Sequence, residues 1–310
     1  MRIVVALGGT ALRRPGQPLT VESRRAAVAA ACAALAPVAE AHELVISHGA
    51  GPQAGQLSLQ APLHDAAAAH TVDGLDAQSE WAIDYLIEQE LGNLLPAEAP
   101  VVTVLTTSEV DPDDPAFADP TAFVGPGHRA GRARRIARER GWVFRQDGDA
   151  WRRVVPAPQP RRIVQTRPVE WLLARGCVVI CAGGGGMPTM SPRGVRTTVG
   201  AEAVVDKDRA SAVLAQDLGA DLLLLAGDVD AVYLDWGTPH QQAIACAHPD
   251  ALDAASFPAG SMRPKIEAAA QFARTSGRSA VIGSLAQLAA ILAGEEGTRV
   301  TVQVDGLQLR

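Results

Sequence analysis

Only two of the 28 Lys and Arg side chains in this 310-residue chain are lysine, Lys207 and Lys265; the other 26 are arginine. A solvated surface charge is served equally by either residue, whereas a compact ammonium can follow a moving phosphoryl group as a planar guanidinium fork cannot. Both lysines stand where helices should begin, Lys207 in Val205-Asp206-Lys207-Asp208 and Lys265 in Met262-Arg263-Pro264-Lys265-Ile266-Glu267. Two leftover surface lysines are the bland alternative. The sharper expectation is a pair of ammonium groups converging on one phosphate chain.

Glycine marks the next places where chemistry could sit. Gly8-Gly9-Thr10 follows the apolar run 3–7, and His48-Gly49-Ala50-Gly51-Pro52-Gln53 follows the run 44–47. Glycine lets backbone N–H groups approach an anion, and a following helix adds its positive end, although tight strand-to-helix turns also use glycine for geometry alone. His48 reads as a loop-fixing hydrogen-bond partner rather than a catalytic base. A third run, Gly183-Gly184-Gly185-Gly186-Met187-Pro188, has proline where a dinucleotide-binding G-x-G-x-x-G needs its last glycine, which disfavours a nicotinamide enzyme. The carboxylates of Gly227-Asp228-Val229-Asp230-Ala231-Val232-Tyr233 could position a nucleotide or a hydrated metal, or simply cap a turn. No H-E-x-x-H pair occurs among the seven histidines, so no protein-held metal is expected.

These loops need a scaffold, and the apolar pattern supplies one. Short β-branched runs at 3–7, 44–47, 101–105, 177–182, 222–225 and 279–282 alternate with Ala-rich helical stretches at 21–35, 77–91, 208–218 and 264–275. That alternation predicts an α/β fold, a mainly parallel sheet with helices on both faces, with ligands beyond the carboxyl ends of the strands. A last strand is expected within 299–304. Cys177 and Cys181, an even spacing apart in one strand, read as core residues of one face. The interval 112–162, rich in Pro, Gly and Arg, breaks the rhythm and reads as an inserted hairpin or lid. Its run Arg129, Arg132, Arg134, Arg135, Arg138 and Arg140 is either a solvated helix face or the wall of an anion site.

Composition narrows the classes. At 47% hydrophobic the chain is globular; at 4% aromatic it lacks stacking platforms for single strands, and a formal charge of -6 repels phosphate backbones, so no nucleic-acid partner is expected. Four unpaired-looking cysteines and the absence of a long apolar stretch predict a soluble cytoplasmic protein with no membrane partner.

The motifs taken together and in order resemble the carbamate kinases of the amino-acid kinase superfamily across essentially the whole chain. The matching segments are Val4 to Gly9, Ser47-His48-Gly49 with Gly51-Pro52-Gln53, Glu109 to Phe117, Arg152 to Pro156, Ala182 to Gly186, Glu202 to Asp208, Asp228 to Tyr233 and 258–267. The resemblance implies a three-layer α/β/α sandwich with a protruding lid, working as a homodimer. It further implies one kinase domain over 1–310, with an acid-binding lobe at about 1–205, the lid at about 112–162 and a nucleotide-binding lobe at about 206–310. Carried over by residue, Gly8, Gly9, Thr10, Gly49, Ala50 and Gly51 would hold the acid and the transferring phosphoryl group. Lys207 and Lys265 would neutralise it, with Asp208 fixing both ammonium groups. Asp228, Val229, Asp230, Ala231, Val232 and Tyr233, with Met262, would line the nucleotide pocket. The implied co-substrate is ATP or ADP with Mg²⁺ held mainly by phosphates.

The departures from that pattern fall chiefly around the acid. Thr10 and Ala50 stand where the family has asparagine, the insertion contains no lysine where the family places one near Ala122, and Arg263 replaces a usual glycine without an evident counter-charge. An arginine such as Arg129 would have to supply the missing cation. Three activities are therefore in play: reversible transfer between ATP and carbamate, the same chemistry on another small carboxylate or carbamate-like acid, and nucleotide binding without catalysis. Retention of both lysines and Asp208 argues against the last.

Overall fold

The alternation read from the sequence is borne out in the computed structural model, which describes residues 1–9, 12, 20–49, 71–191, 197–252, 257 and 262–310. The first half runs β1 (Arg2–Leu7), α1 (Val21–Ala41), β2 (Glu43–His48), α2 (Val72–Gly92), β3 (Val101–Val104) and β4 (Thr107–Val110). An insertion follows: β5 (Ala122–His128), α3 (Ala130–Arg140), β6 (Val143–Asp147) and β7 (Ala150–Val155). The chain returns through β8 (Pro160–Ile163), α4 (Thr166–Leu173), β9 (Val178–Cys181), β10 (Met187–Met190) and β11 (Val199–Gly200). It ends with α5 (Lys207–Asp217), β12 (Leu222–Gly227), β13 (Val232–Leu234), β14 (Gln242–Ala247), α6 (Met262–Ser276), β15 (Ser279–Ser284), α7 (Leu288–Ala293), β16 (Thr298–Val300) and β17 (Leu307–Leu309). The strand expected within 299–304 is β16, which already ends at Val300, and the chain turns before the further short strand β17.

Ten strands form the central sheet in the order β13-β14-β16-β15-β12-β1-β2-β9-β3, with β17 also on β14. From β15 to β3 every neighbour is parallel, and antiparallel pairing is confined to the β13 side. The inner strands β1, β9 and β12 are buried on both faces, as their unbroken apolar runs require, whereas β3 at the edge is half-buried. In β1, Ile3, Val5 and Leu7 enter one core with α1, α2 and α7, while Val4 and Ala6 enter the other with α4, α5 and α6. Side chains of successive strand residues point to opposite faces, so one hexapeptide anchors both helical layers. Ile3, Val4, Val5 and Leu7 are fully buried, each stabilising the fold by roughly 1.5–3 kcal/mol.

Two smaller sheets lie outside this slab. β11-β10-β4-β8 forms one, and β5-β7-β6 the other. The β6–β7 hairpin turns at Gly148, whose φ of 58° suits glycine. In the insertion the arginine run proves to be a solvated face: Arg129, Arg132, Arg134, Arg135, Arg138 and Arg140 are all exposed, and Ala133 is the buried residue of α3. Arg129 stands at the N-cap of α3, with no contact to the lysines among the described residues. Arg140 and Arg153 both lie over the Trp142 ring, at 5.1 and 3.9 Å from its centroid. Arg153 also bonds Glu202 at 2.6 Å, and Glu202 accepts the Val72 backbone N–H at 3.0 Å. The insertion is thereby tied to the first turn of α2.

Candidate active site

The carboxyl ends of β1, β2 and β12 meet the N-termini of α5 and α6, and the lysines lie at that junction. Asp206 caps α5, its carboxylate accepting the backbone N–H groups of Asp208 at 3.0 Å and Arg209 at 3.1 Å. That cap fixes the backbone on either side of Lys207. Asp208 then turns into the protein and receives both ammonium groups: Lys207 Nζ on Oδ1, and Lys265 Nζ on Oδ2 at 2.8 Å. Two cations 58 residues apart in sequence thus share one carboxylate that is 3% exposed.

The electrostatics follow from burial. Burial alone would push the Asp208 carboxyl up, but Lys207 and Lys265 outweigh it and hold the group below the usual aspartate range. Lys207 moves down from the ordinary lysine value because burial, seconded by Lys265, outweighs the pull of Asp208. One anion between two cations leaves a surplus of positive charge in a dry site, where it acts more strongly than in water.

Glycines join this cluster to the strand ends. A Cβ on Gly49 would stand 3.3 Å from the Gly9 nitrogen and 3.3 Å from Lys207 Cδ, so the loop after β2 touches both its neighbour and the lysine stem. On the other side a Cβ on Gly227, the last residue of β12, would lie 3.5 Å from Lys265 Cε and 4.0 Å from the Val229 nitrogen. The predicted residues Gly9, Gly49, Lys207, Asp208, Lys265 and Val229 therefore form one continuous series. Gly8 and Gly49 do not offer their own N–H groups to an anion: these donate to Ala226 O at 2.8 Å and Leu7 O at 2.9 Å, extending the sheet ladder. Gly49 instead makes the close approach to Gly9 and to the Lys207 stem.

Other predicted residues sit apart from the cluster. Asp228 and Asp230 are exposed, on either side of half-buried Val229, and Ala231 and Val232 are buried where the chain enters β13. Asp230 accepts from the Tyr233 hydroxyl at 2.9 and 3.0 Å rather than turning to the lysines, and Tyr233 packs on Trp236. Met262 opens α6 half-buried against the core. Thr10, Ala50 and Gly51 lie outside the described residues. Arg263 does find a counter-charge: Glu267 accepts from it at 3.0 Å and from Arg209 at 2.5 Å, bridging α5 and α6. No dinucleotide loop forms at 183–186, since the chain leaves the glycines as strand β10, paired with β4, rather than as a helix. Cys177 and Cys181 belong to one core, as expected.

Sequence reasoning missed the supports behind the cluster. Ser47 Oγ lies 2.6 Å from Ser211 Oγ, which itself donates to Lys207 O at 2.6 Å, fastening the end of β2 to the first turn of α5. It also missed a stripe of acids on α2. Asp76, Glu80 and Asp84, spaced by four, face inward, while Trp81 and Tyr85 face solvent at 68% and 55% exposure. That inversion of the usual helix pattern was the available signal.

Comparison with known proteins agrees with this geometry. A profile of the amino acid kinase family matches residues 1–284. The chain is 52% identical to carbamate kinase from Rhizobium meliloti (strain 1021) over 302 residues, covering 97% of this chain and 93% of that protein. It is 48% identical to carbamate kinase from Haemophilus influenzae over 307 residues, covering 99% of each. Among solved structures, carbamate kinase from Giardia lamblia bound to AMP-PNP superposes with a TM-score of 0.89 at 30% identity, covering 97% of this chain and 98% of that one.

Proposed function

Because the chain belongs to the amino acid kinase family, we propose that it is an ATP-dependent phosphotransferase that moves a phosphoryl group reversibly between ATP and carbamate, yielding ADP and carbamoyl phosphate. The observation that carries this reading is the convergence of Lys207 and Lys265 on buried Asp208 at the carboxyl edge of a parallel sheet. Phosphoryl transfer asks the protein for positioning and for positive charge where negative charge moves between the bridging oxygens. Two desolvated ammonium groups held by one carboxylate supply both. Carbamate is already an anion, so no general base is required.

In this reading the part before about residue 205 holds the acid, with Gly8, Gly9, Thr10, Gly49, Ala50 and Gly51 around it. The part from about 206 onward holds the nucleotide along Asp228 to Tyr233 and Met262. The Gly227–Lys265 and Gly49–Lys207 contacts support a phosphoryl path from one part to the other. Mg²⁺ enters as part of the nucleotide substrate, its ligands being phosphate oxygens; among the described residues no three His, Cys, Asp or Glu side chains gather as a metal site. The insertion acts as a lid, and the protein works as a cytoplasmic homodimer.

The lysine-free insertion favours a second reading, the same chemistry on another small carboxylate or carbamate-like acid. ADP formation measured against a panel of such acids tests both. Turnover on carbamate above all others supports the first; turnover on another acid with none on carbamate supports the second, and ATP binding with no transfer to any acid would sink both.

A further inference from the structure

The end of β2 carries a buried polar pair that the lysine cluster does not use. His48 is fully buried, and its Nε2 lies 2.5 Å from Asp84 Oδ1 on α2, itself 2% exposed. Gly183, in the loop after β9, lies flat against the ring: a Cβ there would come within 2.7 Å of His48 Nε2 and 3.2 Å of Glu80 Cγ. Three elements from separate parts of the chain, β2, α2 and the loop after β9, are therefore held at one imidazole. The next residue is Gly49, whose α-carbon leaves only van der Waals room between the Gly9 backbone and the Lys207 stem.

We propose that His48 and Asp84 are positioning residues for phosphoryl transfer, holding the Gly49 backbone at the distance that aligns Lys207 with the transferring group. The pair touches neither lysine; it acts through the loop. A buried histidine–carboxylate contact resists rotation because either side, left alone, would be an unpaired polar group in a dry interior. A shift of about 1 Å in a reacting geometry can cost on the order of 10²-fold in rate.

Glu80 completes the arrangement. It is 1% exposed, and its Oε1 has no hydrogen-bond partner among the described residues. Burial, then the nearby Asp84 and Asp76, raises its carboxyl well above the ordinary glutamate value. The other ionisable groups facing this acid are His48 on β2 and Cys181 on β9, whose thiol is raised by burial and by Asp84 and Glu80.

The inference rests on the kinase reading above, and steady-state kinetics with ATP and carbamate on His48→Ala, His48→Gln and Asp84→Asn separate the two. His48→Ala should lower kcat about 10- to 100-fold while KM for ATP stays within about threefold, since the nucleotide side is untouched. His48→Gln, whose amide can still donate to Asp84, should recover at least a third of the lost activity on a logarithmic scale. Calorimetric ATP binding reports whether each variant is folded. Should His48→Ala fail to fold, Asp84→Asn decides: a kcat loss of about fivefold or more at unchanged ATP affinity supports the assignment. A kcat within twofold of wild type in the folded variant, or equal losses in His48→Ala and His48→Gln, overturns it. Wild-type protein that makes no ADP from ATP with carbamate counts against the kinase reading instead.

Discussion

At the scale of single residues, the proposed catalysis depends on charge held at a fixed separation. Lys207→Ala should cut turnover by about 10²- to 10⁴-fold, as expected for the loss of an electrostatic contact made in the transition state, with the circular dichroism spectrum unchanged. Near-normal turnover would remove this ammonium from the mechanism. Gly49→Ala tests the neighbouring backbone. The added methyl would sit 3.3 Å from both the Gly9 nitrogen and Lys207 Cδ, tighter than ordinary contact, and the lysine stem can yield where the backbone cannot. A loss of kcat of about tenfold or more, with thermal stability nearly preserved, is the expected outcome. Unchanged kcat would mean that the stem relaxes without moving its ammonium.

At the scale of elements, the insertion is held to the body partly through Arg153, which stacks on Trp142 and bonds Glu202, the residue that also receives the Val72 N–H. Arg153 is mostly buried but Glu202 is about half exposed, so the ion pair itself is worth only a fraction of a kcal/mol and the tether draws also on the Trp142 contact and the Val72 bond. Arg153→Ala should speed amide hydrogen exchange in β7 and around β11 while leaving β1, β2 and β12 protected. Equal protection in both proteins would show that the backbone bond from Val204 to Pro156 holds the insertion unaided. The elements themselves were largely legible: unbroken apolar runs marked the buried parallel strands, and the lysine contexts marked two helix starts. Asp84, Glu80 and Ser211 were not legible, because a carboxylate or hydroxyl on a helix declares its partner only once the topology has brought a distant strand against it.

For the whole molecule, the acid stripe on α2 couples stability to pH. Burial, followed by Asp73 and Glu202, pushes the Asp76 carboxyl up to about 7 from an ordinary 3.8. Between those values the folded chain binds a proton that the unfolded chain has released, so stability falls as pH rises from 3.8 towards 7 and the cost is fully present above 7. Asp76→Asn should raise the melting temperature at pH 8 relative to wild type and flatten its dependence across that window. An unaltered pH profile would show that Asp76 titrates normally. The two helical layers and the sheet between them could be read from periodicity alone. How the small sheets pack on the slab could not, since short polar strands of an insertion bury little surface and leave little pattern.

β1 lies at the middle of the slab, paired residue for residue with β2 on one side and β12 on the other. The proposed acid and nucleotide regions are consequently stitched by a continuous backbone ladder, and they cannot part like two jaws without breaking it. Any opening for reactants that leaves the ladder intact is then a movement of what hangs off it, such as the insertion tethered through Arg153, rather than a separation of the two regions.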